Sequence, residues 1–104
     1  MDSKCDRDSP EHVKEALIIL GDKWSALILK LLHHSPLRYS EIEEKLDGIS
    51  SRTLAKRLDM LLEKDIIQKK QMDSYSHHLY ELAPKGRAMD EIIHTMALWG
   101  RKFS

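Results

Sequence analysis

Between Ser50 and Arg57 the chain reads Ser-Ser-Arg-Thr-Leu-Ala-Lys-Arg, a run that sets hydroxyl and cationic side chains ahead of a leucine series. On a helix, Ser51, Arg52, Thr53, Lys56 and Arg57 would fill the first two turns, where Arg and Lys can hydrogen-bond guanine in a major groove. The helix dipole at that end favours phosphate as well. This is the chemistry of nucleic-acid recognition, not of bond making. A second cationic set, Lys69, Lys70, His77 and His78, falls in a hairpin pattern suited to an adjacent backbone or minor groove, and Arg38 is placed to grip phosphate beside a first strand.

Other chemistries are weaker. Six histidines, among them the pairs His33-His34 and His77-His78, together with Cys5, raise a metal-responsive regulator as an alternative. Adjacent histidines on a helix diverge, however, and no Cys-x-x-Cys or His-x-x-x-His spacing gathers ligands. Neither a metal nor a cofactor is expected. Phosphate-cradling glycine loops, nucleophile elbows and paired buried carboxylates are missing too, so the chain does not read as an enzyme. Arg52 and Lys56 with Asp59 and Glu63 also fit a solvated face of spaced ion pairs. A winged helix that binds only protein is a further alternative.

The elements that must position these groups follow from patterning. The 104 residues suit one domain, and 41% apolar with 33% charged residues allow both a core and a solvated surface. Lys plus Arg total 17 and Asp plus Glu total 17, so any basic footprint must be local. A single cysteine excludes an intramolecular disulfide, and with no secretory leader pattern the chain reads as cytoplasmic. The apolar stretch from Ala16 to Leu32 is broken by Gly21-Asp22-Lys23 and carries Lys30, which argues against a membrane span.

Residues 1–9 lack periodicity and are expected to form a loose arm ahead of a domain at 10–104. Pro10 suits a first helical turn, and Val13, Ala16, Leu17 and Leu20 recur at helical spacing up to Gly21. Asp22 would cap a second helix whose apolar face holds Trp24, Leu27, Ile28, Leu31 and Leu32, extended by Ala26 and Leu29. Pro36 breaks it, and Leu37-Arg38-Tyr39 reads as an extended connector or edge strand. Ser40-Glu41-Ile42-Glu43 has the capping-box pattern for a short helix to about Leu46, with Glu43 reaching back to the serine. Gly48 can close it in the left-handed region, and Ile49 can plug the core.

Ser50 or Ser51 would cap a longer helix lined by Leu54, Leu58, Leu61 and Leu62. Strands at Ile66 to Met72 and about His77 to Leu82 form a hairpin, and Pro84 opens a last helix with Ala88, Met89, Ile92, Ile93, Met96 and Trp99 on one stripe. The predicted fold is mainly α with a small β-hairpin: a winged helix-turn-helix with extra N- and C-terminal dimerisation helices. That last stripe is wider than so small a core needs. A homodimer burying Val13, Leu17, Ile92, Met96 and Trp99 would use the surplus.

Taken in order, Leu17-Ile-Ile-Leu-Gly-Asp-Lys-Trp24, Leu27-Ile-Leu29, Leu37-Arg-Tyr-Ser-Glu-Ile42, Gly48-Ile-Ser50, Leu54-Ala-Lys-Arg-Leu58, Tyr80-Glu-Leu82, Gly86 and Trp99-Gly100 resemble the HxlR-type winged-helix regulators. The resemblance implies a homodimer built through the first and last helices, a recognition helix at about 51–64 and a wing at about 67–82. It also implies duplex DNA as partner, with a palindromic operator, Ser51, Arg52, Thr53, Lys56 and Arg57 in the groove, and Arg38 at the backbone. The sequence specifies no small-molecule effector.

Three departures stand out. Asp22 replaces a frequent second glycine, Ala83 replaces a frequent threonine cap, and the wing from Asp73 to His78 is short and lacks paired prolines. Many HxlR-type members also carry an oxidant-sensing cysteine just before the first helix; aligned back from Gly21, that position is Glu11 here. Cys5, the candidate redox residue, lies further out, where Lys4 and Arg7 are offset by Asp2, Asp6 and Asp8.

Overall fold

The computed structural model describes residues 9–71 and 78–104. The described residues form α1 (Pro10–Leu20), α2 (Lys23–His34), α3 (Tyr39–Lys45), α4 (Ser51–Glu63), β1 (Ile67–Gln71), β2 (His78–Leu82) and α5 (Pro84–Phe103). This is the winged helix-turn-helix order expected from the sequence.

Local chemistry accounts for most of the boundaries. Ser9, the last residue of the expected arm, is the cap of α1, with its carbonyl accepting from Val13 N–H at 3.2 Å. Asp22 caps α2, its carboxylate accepting from Ser25 N–H at 2.9 Å and from the Ser25 hydroxyl at 3.0 Å. Ser50 caps α4 by accepting from Thr53 N–H at 3.0 Å. Gly48, at φ 92°, makes the turn that sends Ile49 into the core.

The start of α3 differs from the expectation. Arg38 is the N-cap and Tyr39 is already helical, so Glu41, not Glu43, reaches back, accepting from Arg38 N–H at 2.8 Å. The cause lies one residue upstream. Leu37 is held extended in an antiparallel bridge to Tyr80, donating at 3.0 Å and accepting at 2.7 Å, and the chain coils as soon as that bridge releases it. Leu37 thus adds a one-residue third strand to the hairpin.

β1 and β2 pair antiparallel in the register Ile67↔Leu82, Lys69↔Tyr80 and Gln71↔His78. The expected strand ends at Met72 and His77 lie outside the described residues. Ile66 precedes β1, behind a turn in which Asp65 takes φ 62°, a region that Asp enters more readily than most residues.

The core gathers Ile28, Leu29 and Leu32 of α2, Ile42 of α3, Leu54, Leu58 and Leu61 of α4, Ile66, Ile67 and Leu82 beside the hairpin, and Met89 and Ile93 of α5. The inward face of α2 centres on Ser25, Ile28, Leu29 and Leu32, while Leu27 is exposed. Lys23, Lys30 and His34 share the exposed side of the helix with it. Ser25 can be buried because Asp22 satisfies it. On α1 the buried pair is Ile19 and Leu20 rather than Val13 and Leu17.

Gly86 brings α5 hard against the hairpin: an added Cβ would lie 2.2 Å from the Ile66 carbonyl oxygen. The buried residues of α5, Gly86, Met89 and Ile93, all fall in its first half. Its second half, exposed from His94 to Trp99, projects from the core. No helix among the described residues is long and apolar enough to cross a membrane.

Candidate nucleic-acid interface

The first two turns of α4 form the centre of the candidate site, and a tyrosine sets their position. Tyr39, on the first residue of α3, donates its hydroxyl to the Ser51 carbonyl at 2.8 Å and lies 3.1 Å from the Ser51 hydroxyl. The two helices of the helix-turn-helix are thereby clasped at their amino ends. Arg38, next to that clasp, is exposed, with its Nε 3.8 Å from Glu41. At that separation and exposure the contact contributes little and leaves the guanidinium available.

The five residues expected in the groove fall into two sets. Arg52 and Lys56, one turn apart, are exposed, and their side chains make no hydrogen bond or ion pair among the described residues. Their ammonium and guanidinium groups can meet base edges or phosphate without breaking an internal contact. Ser51 is held by Tyr39, and Thr53 is half-buried with its hydroxyl accepting from Ser50 at 2.9 Å.

Arg57 turns away towards α2. Its Nε lies 2.9 Å from the Asp22 carboxylate, with both side chains about a third exposed (33% and 29%). The Nε makes no aligned hydrogen bond, so the contact is one of charge. Partial burial by itself pushes the Asp22 carboxyl up; the two Ser25 donors and the Arg57 charge outweigh it and hold the carboxyl below its ordinary value. Asp22, the departure from the double glycine, therefore caps α2 and braces α4 together. In this arrangement Arg57 helps to hold α4 on the core.

The hairpin supplies the second cationic set. Lys69, Lys70 and His78 are exposed. Because strand side chains alternate, Lys69 and Lys70 leave opposite faces, so the wing carries one cation on each side. Lys69 Nζ lies 5.9 Å from the Tyr80 ring centroid, across the register pair. Burial raises the Tyr80 hydroxyl pKa, with Asp59 and Tyr39 adding to the effect, so the ring stays neutral at ordinary pH. His77 lies outside the described residues.

Asp22 as a brace and Tyr39 as a clasp are what the sequence reading missed. Asp22 was legible only as a cap, because nothing local links it to Arg57, far along the chain. Tyr39 sat in what looked like a connector.

The expected interface residues form an exposed apolar set. Val13 and Leu17 of α1 are 51% and 57% exposed, and Trp99 of α5 is 64% exposed. Ile92 and Met96 continue the stripe, and Phe103 extends it, its ring 5.6 Å from that of Trp99. Cys5 lies outside the described residues. Among the described residues no group of three or more His, Cys, Asp or Glu side chains could hold a metal ion.

A clasped helix-turn-helix with cations at its amino end, followed by a cationic hairpin, defines a winged-helix transcriptional regulator of the helix-turn-helix type, a class that acts on DNA. The chain belongs to the HxlR-like helix-turn-helix family, whose model matches residues 19–104. It is 30% identical over 92 residues to the HTH-type transcriptional regulator YodB of Bacillus subtilis, spanning 88% of this chain and 82% of that one. The regulatory protein MalR of Fusobacterium mortiferum is 32% identical over 92 residues, covering 86% and 87% of the two chains. Among solved structures, reduced YodB superposes with a TM-score of 0.79 at 30% identity over 90% of this chain and 92% of that chain. A MarR-family regulator of Porphyromonas gingivalis gives 0.81 at 30% identity over 95% and 96%. YodB is a transcriptional regulator by name and MalR a regulatory protein.

Proposed function

We propose that the chain acts as a homodimer that binds a two-fold symmetric duplex operator, with Arg52 and Lys56 reading the major groove and the wing resting on flanking backbone or minor groove. The observation that carries this reading is the contrast within α4. Arg52 and Lys56 are exposed and without described partners, whereas Arg57 is drawn back onto Asp22. Ser51 and Thr53 border the groove, Arg38 holds phosphate at the clasp, and Lys69, Lys70, His77 and His78 supply wing contacts.

The dimer follows from the apolar residues left uncovered. The exposed Val13 and Leu17 of α1, with Ile92, Met96 and Trp99 of α5, a helix that outruns its own core, would be stabilised by a second copy. Residues 10–104 act as one DNA-binding and dimerisation domain, with 1–9 as an arm. Mobility-shift titration on a selected operator tests the reading. Arg52→Ala or Lys56→Ala should weaken specific binding by about 1–3 kcal/mol if a base contact is lost. Parent-like affinity in both variants would defeat it.

A second element concerns Cys5, the chain's single cysteine. YodB has been solved in quinone-bound and in diamide-treated forms. Cys5 is the candidate group through which an oxidant or electrophile would change operator affinity. The response should be present in the parent after mild diamide treatment and absent in Cys5→Ser; equal affinities throughout would reduce Cys5 to an ordinary thiol.

A further inference from the structure

A cavity of about 420 Å³ opens between α2, from Lys23 to Leu31, and the end of α3, away from the Tyr39 clasp, and no step of the DNA-binding reading uses it. Its apolar wall consists of Trp24, Leu27 and Leu31 of α2 with Leu46 after α3. Three lysines, Lys23, Lys30 and Lys45, stand around it, and Asp47 is the one acidic residue in the lining. All three lysines are exposed, and Lys23 Nζ lies 4.7 Å from the centroid of the Trp24 ring.

We infer that this cavity is an effector site for a small aromatic anion, a one- or two-ring carboxylate or phenolate, bound with its rings against Trp24 and its charge among the lysines. The volume falls within the range typical of small-molecule sites. The wall offers an indole and three aliphatic side chains for a ring, which burial and ring stacking favour. Three cations against one carboxylate leave a local excess that a purely apolar or cationic ligand would not use. Asp47 can accept a hydrogen bond from a ligand hydroxyl, so hydroxylated rings gain a further contact. A bare inorganic anion meets the lysines but leaves the apolar wall wet, and is therefore a poor fit.

The site lies where occupancy would matter. Lys45, Leu46 and Asp47 lead directly into the Gly48 turn and the cap of α4, while Lys23 and Trp24 follow Asp22, the brace of Arg57. A ligand joining Lys30 to Lys45 would bridge α2 to the entry of the recognition helix. Its differential contact with the two helices would shift the orientation of α4 and hence operator affinity. This consequence rests on the DNA-binding reading; the binding event does not.

Isothermal titration calorimetry with 1-naphthoate as probe tests the site, in the parent and in Lys30→Gln/Lys45→Gln, whose folding is checked by helical circular dichroism. Saturable binding of one naphthoate per chain is expected, weakened roughly tenfold or more in the double variant, about 1.4 kcal/mol. Uncharged 1-naphthalenemethanol and inorganic phosphate should each fail to compete at equal concentration. No saturable heat, equal affinity in parent and double variant, or equal competition by phosphate would each overturn the proposal. A second arm measures operator affinity with and without saturating naphthoate. A change of about threefold or more in the parent, absent in the double variant, is expected. Naphthoate binding with unchanged operator affinity would overturn the effector role while leaving DNA recognition standing, whereas loss of operator binding without ligand would strike the DNA-binding reading itself.

Discussion

Asp22 is the residue whose removal separates the forces that hold α4 in place. Its carboxylate caps α2 through Ser25 N–H at 2.9 Å and meets Arg57 Nε at 2.9 Å. Losing an N-cap acceptor costs about 0.5–2 kcal/mol. The ion pair, with both side chains about a third exposed, is worth about 0.2–1 kcal/mol after solvent screening. Asp22→Ala removes both and should destabilise by about 0.7–3 kcal/mol. Asp22→Asn keeps a competent cap and loses only the charge, so it should cost less than about 1 kcal/mol. Thermal unfolding at fixed protein concentration checks this, with roughly 4–8 °C per kcal/mol for a chain of this size.

The acid dependence has a defined sign. The carboxyl is held below its ordinary value in the folded protein, so its contribution is present above that ordinary value and lost as pH falls through the depressed one. The gap between parent and Asp22→Asn should therefore close in acid. A double-mutant cycle with Arg57→Ala isolates the pair. Equal destabilisation by the Ala and Asn variants, or a coupling energy of zero, would refute the brace.

Arg57→Ala should chiefly lower stability, whereas Arg52→Ala should chiefly lower specific DNA affinity; paired unfolding and mobility-shift titrations distinguish them. Lys69→Ala or Lys70→Ala should reduce affinity across all sequences and make the salt slope shallower by about one unit for each lost phosphate contact, read from binding at several salt concentrations. The parent should give a dimer mass by light scattering at micromolar concentration, and Trp99→Ala should shift it towards the monomer. Gly86→Ala sets a methyl group 2.2 Å from the Ile66 carbonyl oxygen, and the forced backbone shift should cost about 1–3 kcal/mol in denaturant unfolding.

Residues whose partners are close in sequence were the legible ones. Asp22, Gly48 and Ser50 announce their caps and turn because each acts within a few residues, and the leucine spacing of α4 fixes its inward face. What escaped depends on contacts between distant segments. The start of α3 is set by the bridge between Leu37 and Tyr80, which overrides the local Ser40 pattern. On α2, Ser25 is buried because Asp22 satisfies its hydroxyl, which a reading by apolar residues alone does not anticipate, while Leu27 is left exposed. Arg57 looks like any groove cation until Asp22 is seen beside it. Within the candidate site, residue type and helical position were readable, but which cations remain available depended on the fold.

The most direct test of the central claim is selection of bound sequences from random duplex DNA by the parent protein. A two-fold symmetric motif with half-sites about one helical turn apart, roughly 34 Å between centres, is predicted, with preference at the half-site positions relaxed in Arg52→Ala. No enriched motif after repeated rounds, or an asymmetric motif that Arg52→Ala selects equally well, would contradict a homodimer reading DNA through α4.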